Sequence, residues 1–144
     1  MDPVPMHCLV YTSGASRPMG DDDLSELLET CRARNLADGI TGMLLYKDGS
    51  FMQALEGPRD VVFNTYARIV EDPRHKDVFL LLDRPVPQRN FDGWAMGFRT
   101  VAAEDLAGVA GFDDLSGGDL AAPALASKPH IALRLLTRFN ENTR

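Results

Sequence analysis

The sequence predicts an α+β fold in the order βαββαββ, a ferredoxin-like layout with a five-stranded mixed sheet and two helices on one face. The first observation is a hairpin signal, in which two strand-like runs flank the turn residues Lys47-Asp48-Gly49. The second is that a stretch with helical periodicity lies on either side of this hairpin, and each stretch adjoins a further strand-like run. The chain has 144 residues, which is the size of one ordinary domain.

The first strand and the first helix are predicted over residues 7–34. Residues 7–13 are apolar and rich in β-favouring types, and this run stops at Gly14. Residues 21–34 open with three aspartates, which suit the positive end of a helix dipole. Four apolar residues then fall at the i, i+3, i+4 and i+7 positions of a helix and form its buried stripe: Leu24, Leu27, Leu28 and Cys31.

The hairpin and the second helix follow. Residues 41–46 and 50–55 are the two strands, and we expect them to pair antiparallel. Pro58 fits the first turn of the second helix, because its missing N–H costs nothing there. That helix ends near Asp72-Pro73, and one face of it carries Val61, Val62, Thr65 and Ile69. It is therefore amphipathic like the first helix.

Two further strands and a C-terminal segment complete the chain. Residues 78–82 are apolar on both alternating faces, and a last strand lies within residues 95–101. A strand that is apolar on both faces needs cover on both, whereas the two helices cover only one. The segment 103–144 contains the break Gly117-Gly118 and then apolar residues at helical spacing, namely Ile131, Leu135, Leu136 and Phe139. We therefore predict a core over residues 1–102 and a C-terminal helical extension, residues 103–144, on the far face.

Composition excludes several classes of function. Lys and Arg total 15 against 21 Asp and Glu, and no basic cluster is present to follow a phosphate backbone, so we expect no nucleic-acid partner. The N-terminus lacks the pattern of a signal peptide and no apolar run is long enough to span a bilayer, so we expect a soluble, cytoplasmic protein without a membrane partner. Neither cysteine suggests a disulfide. The three histidines have no ligand-like spacing, so we expect no metal site.

Polar side chains lie on faces that should be apolar. Strand alternation places the Gln53 amide on the face of Phe51 and Leu55, although burying an amide costs about 1–3 kcal/mol unless it is hydrogen-bonded. Tyr11 shares a face with Leu9 on the first strand. Three further polar residues extend or border the buried stripes of the helices: Asn35, Arg68 and Asp72.

Each of these residues also has a purely structural interpretation. Tyr11 could be a core residue whose hydroxyl binds a carbonyl, and Asn35 could be the C-cap of the first helix. Arg68 and Asp72 could be an exposed i,i+4 pair worth about 0.3–0.5 kcal/mol. Gln53 has no local backbone group that would satisfy it. Taken together, these donors and acceptors suit a flat heteroaromatic ligand such as a flavin or a pterin, bound between the two helices.

Several separated segments together resemble one family. They are Tyr11-Thr12-Ser13, Asn35, Gly39-Ile40-Thr41-Gly42-Met43-Leu44-Leu45-Tyr46, Phe51-Met52-Gln53-Ala54-Leu55-Glu56-Gly57, Arg68-Ile69, Asp72-Pro73-Arg74-His75 and Gly93-Trp94-Ala95-Met96. In order and spacing they resemble the BLUF family, the blue-light sensors that use FAD, over residues 6–101. The resemblance implies a flavin-binding sensor core within residues 1–102 and non-covalently bound FAD.

The resemblance also implies roles for individual residues. Gln53 corresponds to the glutamine between flavin N5 or O4 and a tyrosine, and Tyr11 corresponds to that tyrosine. Asn35 corresponds to the asparagine at the O4/N3 edge. Arg34 stands where some relatives have a second carboxamide, and its implied contact is with O2 or the cofactor's tail. The other implied positions are Arg68 and Asp72 near the pyrimidine side of the ring, His75 beside the isoalloxazine, and the last-strand pair Trp94 and Met96 near the glutamine. Cys31 is interpreted as a small packing residue.

The implied mechanism is photochemical, so we expect the chain not to be an enzyme. Excited flavin would take an electron and then a proton from Tyr11 through Gln53, and the rearranged amide would leave a red-shifted signalling state. We expect the signal to leave through an unidentified protein effector or through a homo-oligomer. The alternatives are a light-independent regulatory module that binds a flavin or another heterocycle, and a small acylphosphatase-like hydrolase, for which Gly14-Ala15-Ser16-Arg17 only faintly suggests an anion loop.

Overall fold

The computed structural model describes residues 6–47, 49–91, 96–100 and 136, and its elements have the predicted order βαββαββ. They are β1 Met6–Ala15, α1 Asp21–Asp38, β2 Thr41–Lys47, β3 Ser50–Pro58, α2 Arg59–Glu71, β4 His75–Val86 and β5 Gly97–Thr100. The five strands form one sheet in the order β4-β1-β3-β2-β5. Its pairs are antiparallel except for β2 with β5, so the predicted mixed sheet and the α+β class are confirmed.

The first helix is longer than the sequence predicted. Its first turn holds the three aspartates, and the Gly20 N–H donates a 3.1 Å hydrogen bond to Asp23 Oδ2. It ends at Gly39, whose φ of 75° is the left-handed conformation that favours glycine. The interpretation of Asn35 as the C-cap is therefore wrong. Asn35 lies one turn earlier, where its carbonyl accepts the N–H groups of Gly39 and Ile40.

The second helix follows β3 without a loop. Pro58 is the last residue of β3 and lies just before the helix instead of in its first turn, as the sequence had predicted. Its extended backbone, with ψ of 138°, turns the chain from strand to helix. Val62 and Thr65 are buried, and the helix ends at Glu71, next to the predicted boundary at Asp72.

The central strands of the sheet are buried on both faces. One face packs against α1 and α2 through a core cluster that includes Leu9, Leu28, Leu44, Phe51, Leu55 and Val62. On the opposite face Val10, Met43, Leu45, Met52 and Ala54 are also fully buried. Leu136 is helical and fully buried too. The rest of the predicted C-terminal extension lies outside the described residues, as does Trp94.

The prediction for residues 78–82 holds only in part. Leu81 and Leu82 are buried, but 46% of Phe79 and 36% of Leu80 are exposed. The reason is position, because β4 is an edge strand whose single strand neighbour is β1. No helix within the described residues is long and apolar enough to cross a membrane.

Candidate functional site

A cleft opens between α1 and α2 above the centre of the sheet. Its empty volume is about 580 Å³, which includes space open to solvent. It is lined from α1 by Leu27, Thr30, Cys31, Arg34 and Asn35, from the sheet by Leu44 and Gln53, from α2 by Thr65, Arg68 and Ile69, and beyond α2 by Asp72, Arg74 and His75. Six of the residues singled out in the sequence therefore meet at one cleft: Arg34, Asn35, Gln53, Arg68, Asp72 and His75.

Tyr11 lies behind Gln53, on the neighbouring strand. The two residues are directly opposite in the β1–β3 register, and the Tyr11 hydroxyl donates a hydrogen bond to Gln53 Oε1. Tyr11 is fully buried, and this burial raises the pKa of its phenol well above the ordinary value. The hydroxyl therefore keeps its proton at neutral pH and acts as the donor to the amide. Tyr11 is thus a core residue whose hydroxyl binds a carbonyl, and that carbonyl is the side-chain amide of Gln53.

The nitrogen of the Gln53 amide faces two sulfur atoms. Nε2 donates to Met96 Sδ at 3.3 Å and to Cys31 Sγ at 3.9 Å. Thioether and thiol sulfurs are weak acceptors, so a carbonyl or ring nitrogen of a ligand would be a stronger partner for this N–H group. Only 3% of Gln53 is exposed, and the residue lines the cleft together with Cys31. This amide fits a heterocycle that carries acceptors along its edge.

Asn35 and Cys31 stand together on the α1 wall. Asn35 is almost completely buried, and its Nδ2 donates to Cys31 Sγ at 3.5 Å. Cys31 thus receives N–H groups from both carboxamides of the cleft, in addition to the packing role that the sequence suggested. Burial raises the pKa of its thiol, so the sulfur is a neutral acceptor and not a thiolate.

Arg68 and Asp72 line the cleft but do not pair with each other. Arg68 Nη2 lies 3.3 Å from Asp38 Oδ2 and 3.3 Å from Thr65 Oγ1. The Asp72 carboxylate instead binds the Arg74 guanidinium, with Nη2 to Oδ2 at 2.7 Å, and this hydrogen bond lowers the pKa of Asp72. The interpretation of an i,i+4 pair between Arg68 and Asp72 is therefore wrong, because each side chain has a nearer partner.

His75 closes the sheet end of the cleft. Its Nδ1 lies 2.8 Å from Ser13 Oγ, and its ring lies 5.0 Å from the ring of Phe51. Burial lowers the pKa of the imidazole, so His75 is neutral at pH 7. The His75 ring therefore lines this end of the cleft without adding a charge to it.

Met96 joins the sheet to the Gln53 amide, and the sequence did not reveal how. It is buried, and its backbone carbonyl accepts a 2.8 Å hydrogen bond from Arg32 Nε. Arg32 follows Cys31 in the sequence but lies outside the buried apolar stripe of α1. The helical periodicity therefore did not identify it. Arg74 was also missed, although its spacing of two residues from Asp72 permits a local ion pair.

Other kinds of site find less support. Among residues 6–47, 49–91 and 96–100, no three His, Cys, Asp or Glu side chains converge as metal ligands. The segment proposed as an anion loop has its Ser16 hydroxyl bound to the Pro73 carbonyl at 2.6 Å. Arg17 there lines a separate cleft with Arg74 and two acids, Asp23 and Glu26, so the positive and negative side chains of that cleft balance.

Comparisons with known proteins point to a single family. The model of the BLUF family, described as sensors of blue-light using FAD, matches residues 6–97. The β subunit of a photoactivated adenylate cyclase from Euglena gracilis is 43% identical over 99 residues, which cover 68% of this chain and 11% of that protein. The chain therefore spans about a tenth of the length of this curated relative.

Two solved structures extend the comparison. The dark-state structure of BlrB, a BLUF protein, has a TM-score of 0.70 and 30% identity over 90% of this chain and 96% of its own. A bacterial light-regulated adenylyl cyclase has a TM-score of 0.64 and 33% identity over 66% of this chain and 28% of its own. The likeness to BlrB spans nearly the whole of both chains, whereas the cyclase is similar over one part only.

Proposed function

This chain belongs to the BLUF family of blue-light sensors, and from that membership we propose that the cleft between α1 and α2 holds the isoalloxazine ring of FAD. The family uses a flavin, and the donors of the cleft suit one. The Asn35 and Gln53 amides offer N–H groups to carbonyl and ring-nitrogen acceptors, and Arg34 on α1 and Arg68 on α2 bring positive charge to the cleft. Apolar cover comes from Leu27, Leu44 and Ile69.

The observation that carries the proposal is the row of hydrogen bonds from Tyr11 through Gln53 to Met96. Bound flavin supplies the absorption of blue light and an excited state that accepts an electron. Tyr11 is the donor in this row. As the phenol gives up an electron, its proton would pass from Oη to Gln53 Oε1 along the hydrogen bond already present, and Nε2 would release one of its own protons toward the bound flavin, so that the amide stays neutral.

Gln53 then acts as the switch. While Tyr11 lacks its proton, the amide is free to rotate or tautomerise, and return of the proton and electron to Tyr11 traps the new arrangement. Rotation would bring Nε2 to Tyr11 and Oε1 to the side of Met96 and Cys31, so the donor that now faces the two sulfurs is lost. Met96 directly precedes β5, and the change therefore reaches that strand.

Further proposals concern how the light signal leaves the protein. We propose that the chain senses light without catalysing a reaction and acts in the cytoplasm. The signal passes from β5 to a protein effector or to a second copy of the chain. The relatives named as photoactivated and light-regulated cyclases support the general scheme, since in each of them the matched part covers only a fraction of the protein.

An absorption spectrum tests the proposal. The purified protein, expressed with ample flavin, is expected to show a flavin spectrum in the dark and a reversible red shift after blue light. Mass spectrometry of the released cofactor distinguishes FAD from FMN or riboflavin. A protein with bound flavin but no shift would be the light-independent binding module, and a colourless protein would contradict flavin binding.

A further inference from the structure

Glu56 lies on β3, three residues beyond Gln53 and on the opposite face of the sheet. It is fully buried, although an isolated carboxylate is costly to remove from water. Three donors compensate for this cost. The backbone N–H of Asn90 lies 2.8 Å from Oε2, its Nδ2 lies 2.8 Å from the same oxygen, and the backbone N–H of Phe91 lies 2.9 Å from Oε1. The carboxylate therefore holds the backbone that follows β4.

Arg89 binds the segment of residues 89–91 to the core through a second set of hydrogen bonds. Its Nη2 donates to the Gly39 carbonyl at 2.8 Å, and its Nη1 donates to Thr41 Oγ1 at 2.9 Å and to the Glu56 carbonyl at 3.1 Å. These acceptors belong to the α1–β2 turn, the start of β2 and the end of β3. Residues 89–91 are thus tied to three parts of the core, and we call Glu56, Arg89 and Asn90 the loop anchor.

The loop anchor limits where Met96 can lie. Phe91 is fully buried, and the five residues from it to Met96 span at most about 17 Å even when fully extended. Beyond Met96, β5 pairs with β2 from Gly97 onward. Met96 therefore lies between the loop anchor and the β2–β5 pairing. Its side chain meets Gln53 through a weak N–H···S contact, and Arg32 holds its backbone carbonyl.

We propose that Glu56 is a positioning residue for the light response, because its carboxylate holds Asn90 and Phe91, and the chain leads from there to Met96 beside Gln53. The inference rests on the proposed function and adds a residue that does not line the flavin cleft. Glu56 touches neither the cleft nor Gln53, so it acts through residues 89–91 and Met96. A general acid or base role is inconsistent with its place on the opposite face.

The test replaces the carboxylate by an amide of the same shape, Glu56→Gln. The new NH₂ group opposes the N–H donors of Asn90 and Phe91, so the anchor loosens while the volume stays the same. We expect retained flavin, a displaced or broadened Met96 methyl signal in ¹³C-methyl NMR in the dark, and a thermal recovery rate of the lit state changed by about fivefold or more, as expected for loss of about one hydrogen bond. The matched control Glu71→Gln, on an exposed carboxylate at the end of α2, should leave both readouts unchanged.

A second variant keeps the proposal falsifiable if Glu56→Gln fails to fold. Arg89→Met removes the three guanidinium bonds at a partly exposed position, and Arg84→Met on exposed β4 is its control. A Met96 signal and a recovery rate that match wild type in a folded anchor variant would overturn the proposal. A wild-type protein without any light response would instead refute the proposed function, and the dark-state NMR measurement would still decide whether the anchor positions Met96.

Discussion

At the scale of single residues, the Gln53 side chain has partners of unequal strength at its two ends. Oε1 accepts from the Tyr11 phenol, whereas Nε2 meets only the sulfurs of Met96 and Cys31 among the described residues. Turning the amide over would place Nε2 beside the Tyr11 oxygen and would leave the Tyr11 proton and Gln53 Oε1 in need of new partners. A bound ligand that supplies such partners can therefore decide between the two orientations.

Replacing Gln53 by Leu should separate flavin binding from the light-induced red shift. The Gln53→Leu variant is expected to retain flavin, because the rest of the cleft is intact, and to lose the light-induced red shift, because no amide remains to rearrange. Absorption spectra before and after blue light measure both. Asn64→Leu, on the exposed surface of α2, is the matched control and should behave as wild type. An undiminished shift in Gln53→Leu would remove this residue from the mechanism.

His75 should make folding stability depend on pH. Its pKa in the folded state is depressed by burial, so its contribution to stability is present above the unfolded value of 6.5 and is lost as pH falls below it. Two nearby charges also act on this pKa, because Asp72 raises it and Arg74 lowers it. Burial is the largest of the three effects, and it lowers the pKa. We expect urea unfolding of the wild type to show falling stability from about pH 7.5 to about pH 5.

The variant His75→Gln isolates that contribution. It cannot take up a proton in this range, so its stability should depend less steeply on pH than that of the wild type. His7→Gln serves as the control for loss of a histidine elsewhere on the sheet. Equal slopes for His75→Gln and wild type would show that His75 does not titrate differently on folding.

At the scale of elements, periodicity predicted what depends on local pattern. Both helices, the hairpin and the five strands follow from apolar spacing and turn residues, and the inward amides Gln53 and Asn35 were found as exceptions to that spacing. Partners far apart in sequence were not predictable. Asp38 lies 30 residues from Arg68, and Asn90 lies 34 residues from Glu56, so no local rule joins them. The exposure of Phe79 depends on the order of strands in the sheet, which its own segment does not encode.

Gly42 should prove essential for the close approach of β2 and β3. A Cβ at this position would lie 2.0 Å from the Ala54 carbonyl oxygen and 3.0 Å from Met96 Cε. Gly42→Ala is therefore expected to lower the free energy of unfolding by about 3 kcal/mol, because backbone has to shift. Gly39→Ala is the control for glycine itself, since its Cβ would meet nothing within 4 Å and costs only about 1–2 kcal/mol for the left-handed conformation. Denaturant titration measures both, and equal losses would contradict the steric argument.

At the scale of the whole molecule, both faces of the sheet are shielded although both helices of the core lie on one. Residues 103–144 are predicted to cover the far face, where Val10, Met43 and Met52 are fully buried. A chain that ends at residue 102 should lose several kcal/mol of stability, since each large apolar side chain returned to water costs about 1.5–3 kcal/mol. Urea unfolding measures this loss, with a chain that ends at residue 139 as control. Unchanged stability of the shorter chain would show that something else covers this face.

The position of β5 has a consequence for signalling. It has four residues, lies at the end of the strand order and joins the sheet through its single parallel pairing. Short edge segments open locally at a small fraction of the free energy that unfolds a whole domain, so amide hydrogen exchange should be far faster in β5 than in β1 or β3. The central strands β1 and β3 are expected to stay paired while β5 opens. Detaching β5 would present a partner with unpaired backbone N–H and C=O groups on β2, while β1, β3 and β2 stay paired with one another.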